Sequence, residues 1–483
     1  MPAEFPLAWA LVFLPWAGAA LLGFLPRERV AALVNIGVSA ASFLLALLLL
    51  AEPVGVQGWT RLDALNLPLV LLSFLIGLTT AVYSYGALAA ETLDPLRLRA
   101  FHVAFQVFMG AQALALLADN LGVMWVAIEI ATLASVLMVG LHGTPAAIEA
   151  AWKFFILCGV GIALALLGTI ILSLAARPVV GEEDALSWAV LREVAARCDP
   201  GVLNLAFVFL LVGYGTKAGL VPLHAWLPDA EAEGPIAISA VLSGLLLNAA
   251  LQAVVRVKAV VGAHPETVPP GALLLAFGLA SVLVAAFALW RRRDARRFFA
   301  WSSILHMGLA ATGFGIGGPA GHLAGLLHML GHSLAKSAVF FGIGAAVRLR
   351  GSQRIADLGG LCASYPALGW ALVTGILAVA GLPPFALFAS EFLLVTEVAA
   401  THPWVILPLG LGLLVAVAAK IHTLQLLCFG DPGPGTPPAA GPEKLHWPSL
   451  GPIWLHLVLA LLLGVALPGP LRAMLGEAAG VVG

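Results

Sequence analysis

The chain has 483 residues, of which 61% are hydrophobic and 10% charged, and its mean hydropathy is +1.02. Soluble domains carry about 25% charged residues, so this is one polytopic membrane bundle and not a string of soluble domains. The formal net charge of −1 gives no basic footprint for nucleic acid. The four cysteines, Cys158, Cys198, Cys362 and Cys428, lie far apart and form no CxxC or CxxCH. No iron–sulfur or c-type haem site, and no cofactor in this chain, is therefore expected. The N-terminal MPAEFPLAWA has no basic segment ahead of its apolar run, so no cleaved signal peptide is expected.

Runs of about 20 apolar residues cross a bilayer. Fourteen are expected, near 7–25, 30–51, 63–85, 101–118, 121–141, 150–175, 203–225, 235–257, 271–290, 297–317, 321–347, 366–388, 403–428 and 450–469. The connection 176–202 contains GEEDALSWAVLREVAARCDP and reads as holding an amphipathic surface helix. The segment after Phe429, GDPGPGTPPAAGPEKLHWP, reads as a flexible loop.

Basic residues set the orientation. Loops after odd-numbered spans carry Arg27, Arg29, Arg97, Arg99, the RRRDARR run at 291–297, Arg348, Arg350, Arg354 and Lys444. The other side carries Arg61, Arg177, Arg192, Arg197, Arg256, Lys258 and Arg472. The richer side is expected to be cytoplasmic, which puts both termini outside the plasma membrane of a bacterium or archaeon.

The seventh span is interrupted. It runs from Leu203 through Lys217 into AGLVPLHAWLPDAEAEGP, with Pro222, His224, Trp226, Asp229, Glu231 and Glu233. Proline inside a span frees backbone groups, which is tolerated only where protein or water can satisfy them. A buried lysine costs roughly 2.5–3.5 kcal/mol on insertion scales and normally faces a partner or a wet cavity. Charge and break together mark a polar path.

All four lysines left after the loops are assigned lie inside spans: Lys153, Lys217, Lys336 and Lys420. Two carboxylates, Glu129 and Glu391, join them, with His306, His328, His332 and His422. So many titratable groups suit a proton pathway, because burial favours the neutral form of each and pairing favours the charged form. Lysine suits it better than arginine, which keeps its proton. Plainer readings stand beside this one. Lys153 is near a span end and can snorkel to the interface, with Glu149 one turn away. Glu391 can cap a helix end, and His306 can be a packing residue. His328 and His332, four apart on one face with Lys336, could also ligate zinc or haem. No third ligand is evident, and the lysine would repel a divalent ion, so a proton relay is favoured and no metal is expected.

A second break appears in GLPPFALFASEF, at Pro383 and Pro384. The interrupted spans, seventh and twelfth, are five apart, which is the sequence pointer to an inverted-repeat transporter.

TKAGLVPLHAWLPDAEAEGP, RRFFAWSSILHMG, HMLGHSLAKSAVFFGIG and AGLPPFALFASEF resemble the antiporter-like subunits of respiratory complex I, Mrp antiporters and membrane-bound hydrogenases. The resemblance spans helices four to thirteen. Within that family, residues 119–158 look most like the F-type membrane subunit of hydrogenase-4 and formate hydrogenlyase. It implies an all-α fold of about fourteen helices: N-terminal helices in 1–100, inverted five-helix repeats in 101–260 and 261–430, and a loop and last helix in 431–483. It further implies that Glu129 and Lys217 form an ion pair gating one half-channel, that Lys336 with His328 and His332 is the central group, and that Glu391 is the terminal one. His306 matches a histidine of the tenth helix. The chain departs at the eighth helix, where many relatives carry lysine or histidine and this one has Asn248, which holds no proton charge. It also ends without the long lateral helix of the distal complex I subunit, which points away from that subunit.

The expected function is redox-driven proton or sodium translocation. The drive would come from partner membrane subunits and soluble nickel–iron hydrogenase-like and iron–sulfur subunits. The rivals are an ion-conducting subunit of an inorganic-carbon uptake complex with a soluble zinc protein, an Mrp-like cation/proton antiporter, and a membrane cytochrome.

Overall fold

The computed structural model describes residues 7–25, 27–89, 93–431 and 447–483. Most of the expected loop after Phe429, including Lys444, and the first six residues lie outside the described residues. Without water to bond exposed backbone, a spanning segment must satisfy its own amides, and helices do so. In chain order these are α1 (Leu7–Phe24), α2 (Glu28–Leu48), α3 (Asn66–Ala89), α4 (Pro95–Leu117), α5 (Leu121–Val139), α6 (Pro145–Val180) and α7 (Trp188–Val194). The first broken span follows as α8 (Pro200–Lys217) and α9 (Leu227–Glu233). Next come α10 (Ile236–Val241), a π-helical turn at Leu242–Leu246, α11 (Leu247–Val261), α12 (Pro270–Leu289), α13 (Ala295–Ile316), α14 (Gly318–Arg350) and α15 (Leu361–Ser364). The second broken span is α16 (Pro366–Val379) and α17 (Ala386–Thr401), and α18 (Ile406–Leu424), α19 (Trp447–Val465) and α20 (Gly469–Val482) complete the chain. One short hairpin, β1 (Gly55–Gln57) with β2 (Thr60–Leu62), links α2 to α3.

Among the described residues, thirteen helices are long and apolar enough to cross a membrane, and fourteen if the bent pair Ile355–Ser364 and Pro366–Val379 counts as one span. The expected number of fourteen is met when that pair is one span. Local sequence sets their starts. Asp94, Thr144 and Asp199 each cap a helix whose first residue is proline, and Asn120 and Asp294 cap α5 and α13.

Glycine lets backbones meet where helices cross closely. A Cβ at Gly213 of α8 would lie 2.6 Å from the Gly161 carbonyl of α6, and one at Gly308 of α13 would lie 2.8 Å from the Gly278 carbonyl of α12. Lipid-facing helices keep large apolar side chains outward, among them Leu137, Trp152, Leu407 and Leu414. By contrast, every residue of α11 is buried, and α14 is buried from Gly321 almost throughout. These two helices form the bundle axis, and both carry polar residues that lipid would not tolerate.

Two expectations are corrected. Arg256 and Lys258 do not lie in a loop: α11 continues to Val261 and buries both, at 0% and 8% exposure. Asp63 receives Arg256 at 3.1 Å, and the Trp188 ring packs 4.6 Å from its guanidinium, so the charge is paired where it sits. The C-terminal stretch adds a helix beyond the fourteenth span, α20, which packs on α14. The helix expected within 176–202 is α7, and its Trp188 is buried and donates to the Arg256 carbonyl at 2.8 Å.

Candidate functional site

Both broken spans turn by the same means. Ala218-Gly219-Leu220-Val221-Pro222 follows α8, and Ala380-Gly381-Leu382-Pro383-Pro384 follows α16. Gly219 and Gly381 adopt φ of 72° and 70°, the left-handed cap that glycine accepts without a Cβ clash. The amides of Leu220 and Leu382 each reach back five residues, to Gly215 and Leu377, at 2.9 and 3.2 Å. Both X–Pro bonds, Val221–Pro222 and Pro383–Pro384, are cis. Ten residues past each glycine stands a carboxylate, Asp229 and Glu391. This AGLxP repeat was readable in the sequence by direct comparison of the two halves.

Around the first break, Lys217 ends α8 fully buried. Its Nζ lies 3.9 Å from Glu129 Oε2 on α5 and donates a hydrogen bond to Thr132 Oγ1, one turn further along α5. The Glu129 side chain is 24% exposed, so the pair has one member inside the bundle and one reaching its edge. The Phe154 ring lies 5.9 Å from Lys217 Nζ and stacks on Trp226, whose Nε1 donates at 2.8 Å to the Thr216 carbonyl, which also accepts from the Gly219 amide at 3.1 Å. His224 is partly buried against Trp301 and lies beside the break, and Pro222 is exposed.

Lys153 is placed elsewhere. It is 46% exposed and bridges Glu149 at 2.6 Å and Asp229 at 3.0 Å. Asp229 also receives Arg297, which bonds Glu233 at 2.8 Å. Asp229 and Glu233, four apart on α9, share one face and close a surface charge network.

The second half holds a row of buried groups. Lys336 of α14 donates to the Phe299 carbonyl of α13 and lies 5.0 Å from the Phe340 ring. One turn earlier, His332 Nε2 is 3.3 Å from the Ser243 carbonyl, inside the π-helical turn. Its ring is 5.3 Å from that of His306, whose Nδ1 is 3.0 Å from His328 Nε2. His328 Nδ1 in turn meets Ser390 Oγ at 2.9 Å. Lys420 of α18 sits 3.3 Å from His306 Nε2 and donates to the Val379 carbonyl at 2.8 Å, at the end of α16. Glu391, 8% exposed on α17, is near enough for its charge and that of Lys420 to act on each other. A Cβ at Gly381 would come within 2.1 Å of Glu391 Oε2, so only glycine lets this carboxylate rest against the break. His422 is exposed, stacked on Trp290, outside the run.

Asn248 lies on α11 between the halves. Its amide donates to Ser333 Oγ at 2.7 Å and to the Gly244 carbonyl at 3.2 Å. It tethers α11 to α14 beside His332 but carries no titratable proton.

The third potential ligand that the sequence did not reveal is Glu391. One donor atom from each of His306, His328 and Glu391 lies within 4.8 Å of the others. The imidazoles are already joined to each other, and the Lys420 ammonium stands beside them as the positive charge a metal would otherwise supply. The donor set therefore suits proton exchange better than a divalent ion.

Three groups escaped the sequence reading as site residues. Glu231 is fully buried on α9 and accepts from Ser303 Oγ at 3.1 Å. Lys258 and His322 meet at 3.1 Å at the end of the axis opposite Arg350, beside a cavity of about 720 Å³ also lined by His402 and Trp404. Helical spacing was the available signal for Glu231: Asp229 and Glu233 mark the outer face of α9, and the residue midway between them points inward.

Comparison with known proteins shows the family. Residues 118–416 match the family described as NADH:quinone oxidoreductase/Mrp antiporter, transmembrane. The chain is 46% identical over 466 residues to the hydrogenase-4 component F homolog of Methylacidiphilum infernorum, covering 95% of this chain and 96% of that one. It superimposes with a TM-score of 0.86 on a chain of the archaeal membrane-bound sulfane sulfur reductase, at 21% identity over 98% and 97% of the two chains. A chain of the Mrp complex from Dietzia sp. gives a TM-score of 0.80 at 20% identity over 98% and 97%. The chain belongs to the antiporter-like transmembrane subunits of the NADH:quinone oxidoreductase/Mrp family.

Proposed function

We propose that this chain translocates protons as the membrane subunit of a redox-driven complex of the hydrogenase-4 and complex I type. The carrying observation is the buried run from Lys336 through His332, His306 and His328 to Lys420 and Glu391, with the Glu129–Lys217 pair at the other half's break. Each member can gain or lose a proton, and several contacts between neighbours are at hydrogen-bond distance. Moving one charge against 100 mV costs roughly 2.3 kcal/mol. The candidate redox centres are in partners: other membrane subunits, and soluble nickel–iron hydrogenase-like and iron–sulfur subunits. A partner's conformational or electrostatic signal that separates Glu129 from Lys217 removes the negative charge holding the lysine's proton. That proton then moves towards Lys336 and on to Glu391. The plasma membrane of a bacterium or archaeon is the setting, with the Arg291–Arg293 end cytoplasmic and both termini outside, as the basic-residue count favours.

The test uses the complex that co-purifies with this chain, sealed into liposomes and supplied with its electron donor. Proton movement across the liposome membrane, unchanged when choline replaces sodium, is the expected result. Turnover without proton movement, or movement that requires sodium, contradicts the proposal.

A further inference from the structure

Asn248 lies on α11 between the two halves and holds no proton charge. If Asn248 ended the path, Lys217 and Lys336 would be separate dead ends. Another buried group stands beside the first break. Glu231 lies on α9, just past the break that Lys217 opens, and its side chain is fully buried. A buried carboxylate is costly unless paired and hydrogen-bonded. Here Oε2 accepts from Ser303 at 3.1 Å, whereas Oε1 is buried with no hydrogen-bond partner among the described residues. The hydrogen bonds that Arg296 makes to this segment include the Glu231 and Gly234 carbonyls and the Ser239 hydroxyl. These fix the backbone and leave the carboxylate facing inward.

Glu231 leads directly into the second half. Ser303 Oγ is 2.8 Å from Ser243 Oγ and 3.3 Å from the Phe299 carbonyl, the same carbonyl to which Lys336 donates. Ser243 lies in the π-helical turn, and its carbonyl is the partner of His332 Nε2. π-Helical turns inside helices often mark functional sites, and this one turns a hydroxyl and a carbonyl towards the gap between α9, α13 and α14. The charge of Glu231 also acts on Lys336.

We propose that Glu231 carries the proton between the two halves, past Asn248, which holds none. This rests on the proton-translocating reading above. In the inward step, a proton released by Lys217 forms an O–H bond on the free Oε1. In the outward step, that O–H bond breaks and an N–H bond forms on neutral Lys336, whose Nζ shares the Phe299 carbonyl with the Ser303 hydroxyl. The carboxylate is restored, and no electrons change hands.

The experiment compares Glu231→Gln, Glu231→Asp and Lys217→Ala in the intact complex in sealed liposomes. Proton translocation and electron transfer are followed in each, with redox-induced infrared difference spectra of the carboxyl region. Glu231→Gln keeps the shape and the serine bond but holds no proton. It is expected to lower translocation about 10²-fold or more, the range for losing a positioned proton carrier, and to remove a protonated-carboxyl band. Glu231→Asp is expected to retain translocation and shift that band. Wild-type translocation in Glu231→Gln, or an unchanged carboxyl band, overturns the assignment. Should Glu231→Gln not assemble, the Asp variant decides: a band that stays in place overturns the proposal. If Lys217→Ala abolishes translocation and Glu231→Gln does not, only the Glu231 assignment fails. If Lys217→Ala leaves it intact, the proton-pathway reading itself fails.

Discussion

Replacing Lys420 by methionine is expected to lower coupled proton translocation about 10²-fold or more while the complex still assembles. Methionine is unbranched, only one atom shorter than lysine and suited to a buried site, so packing is largely kept. What disappears is the amine that reaches His306 at 3.3 Å and donates to the Val379 carbonyl at 2.8 Å. Without it, the histidines and Glu391, whose donor atoms lie within 4.8 Å of one another, lose the amine that stands beside them. Lys420→Arg sharpens the test. Arginine preserves the positive charge beside Glu391 but does not release its proton, so it is expected to fail as well. Translocation retained by the arginine variant would show that Lys420 supplies charge alone. The measurement is proton movement per electron transferred, in liposomes, for both variants.

Asp63→Ala is expected to destabilise the fold by about 3–5 kcal/mol, the cost of stranding a buried charge by removing its partner. Asp63 stands ahead of α3, outside the span, and does three things at once. It accepts from Arg61 at 2.9 Å and from Arg256 at 3.1 Å. It also accepts from the Asn66 amide at 2.9 Å, while its own amide donates to Asn66 Oδ1 at 2.9 Å, a reciprocal cap on α3. Burial alone would raise its carboxyl, but Arg256, the Asn66 amide and Arg61 outweigh burial and hold it below its ordinary value of 3.8. A carboxyl lowered on folding stabilises fully above its unfolded value and loses that contribution as pH falls through the folded value. Thermal unfolding in detergent should therefore show a wild-type advantage over Asp63→Asn that is flat above about pH 4 and shrinks below it. An advantage independent of pH into that acidic range would show that the Asp63 charge is not what holds Arg256.

Much of this was legible because membranes simplify the problem. Length and hydropathy marked the spans, and Pro222, Pro383 and Pro384 marked both breaks. Lys217, Lys336 and Lys420 stood out because an intramembrane lysine needs a partner. The parts that were not legible depend on which way a side chain faces. Glu231 looked like one of three acids in a row until α9 put Asp229 and Glu233 on its outer side. Arg256 and Lys258 read as loop residues because charges normally end a span. The partner that admits Arg256 to the interior, Asp63, is 193 residues away in sequence. Lys153 shows the converse: its position in an apolar run marked it as a pathway candidate, yet α6 turns it to the surface, where Glu149 and Asp229 hold it.

The most direct test of a proton path through this chain is translocation by the Lys217→Ala complex, measured with electron transfer in the same liposomes. The arrangement at the first break predicts no coupled proton movement, with the subunit assembled at wild-type level. Unimpaired translocation in that variant would contradict the path.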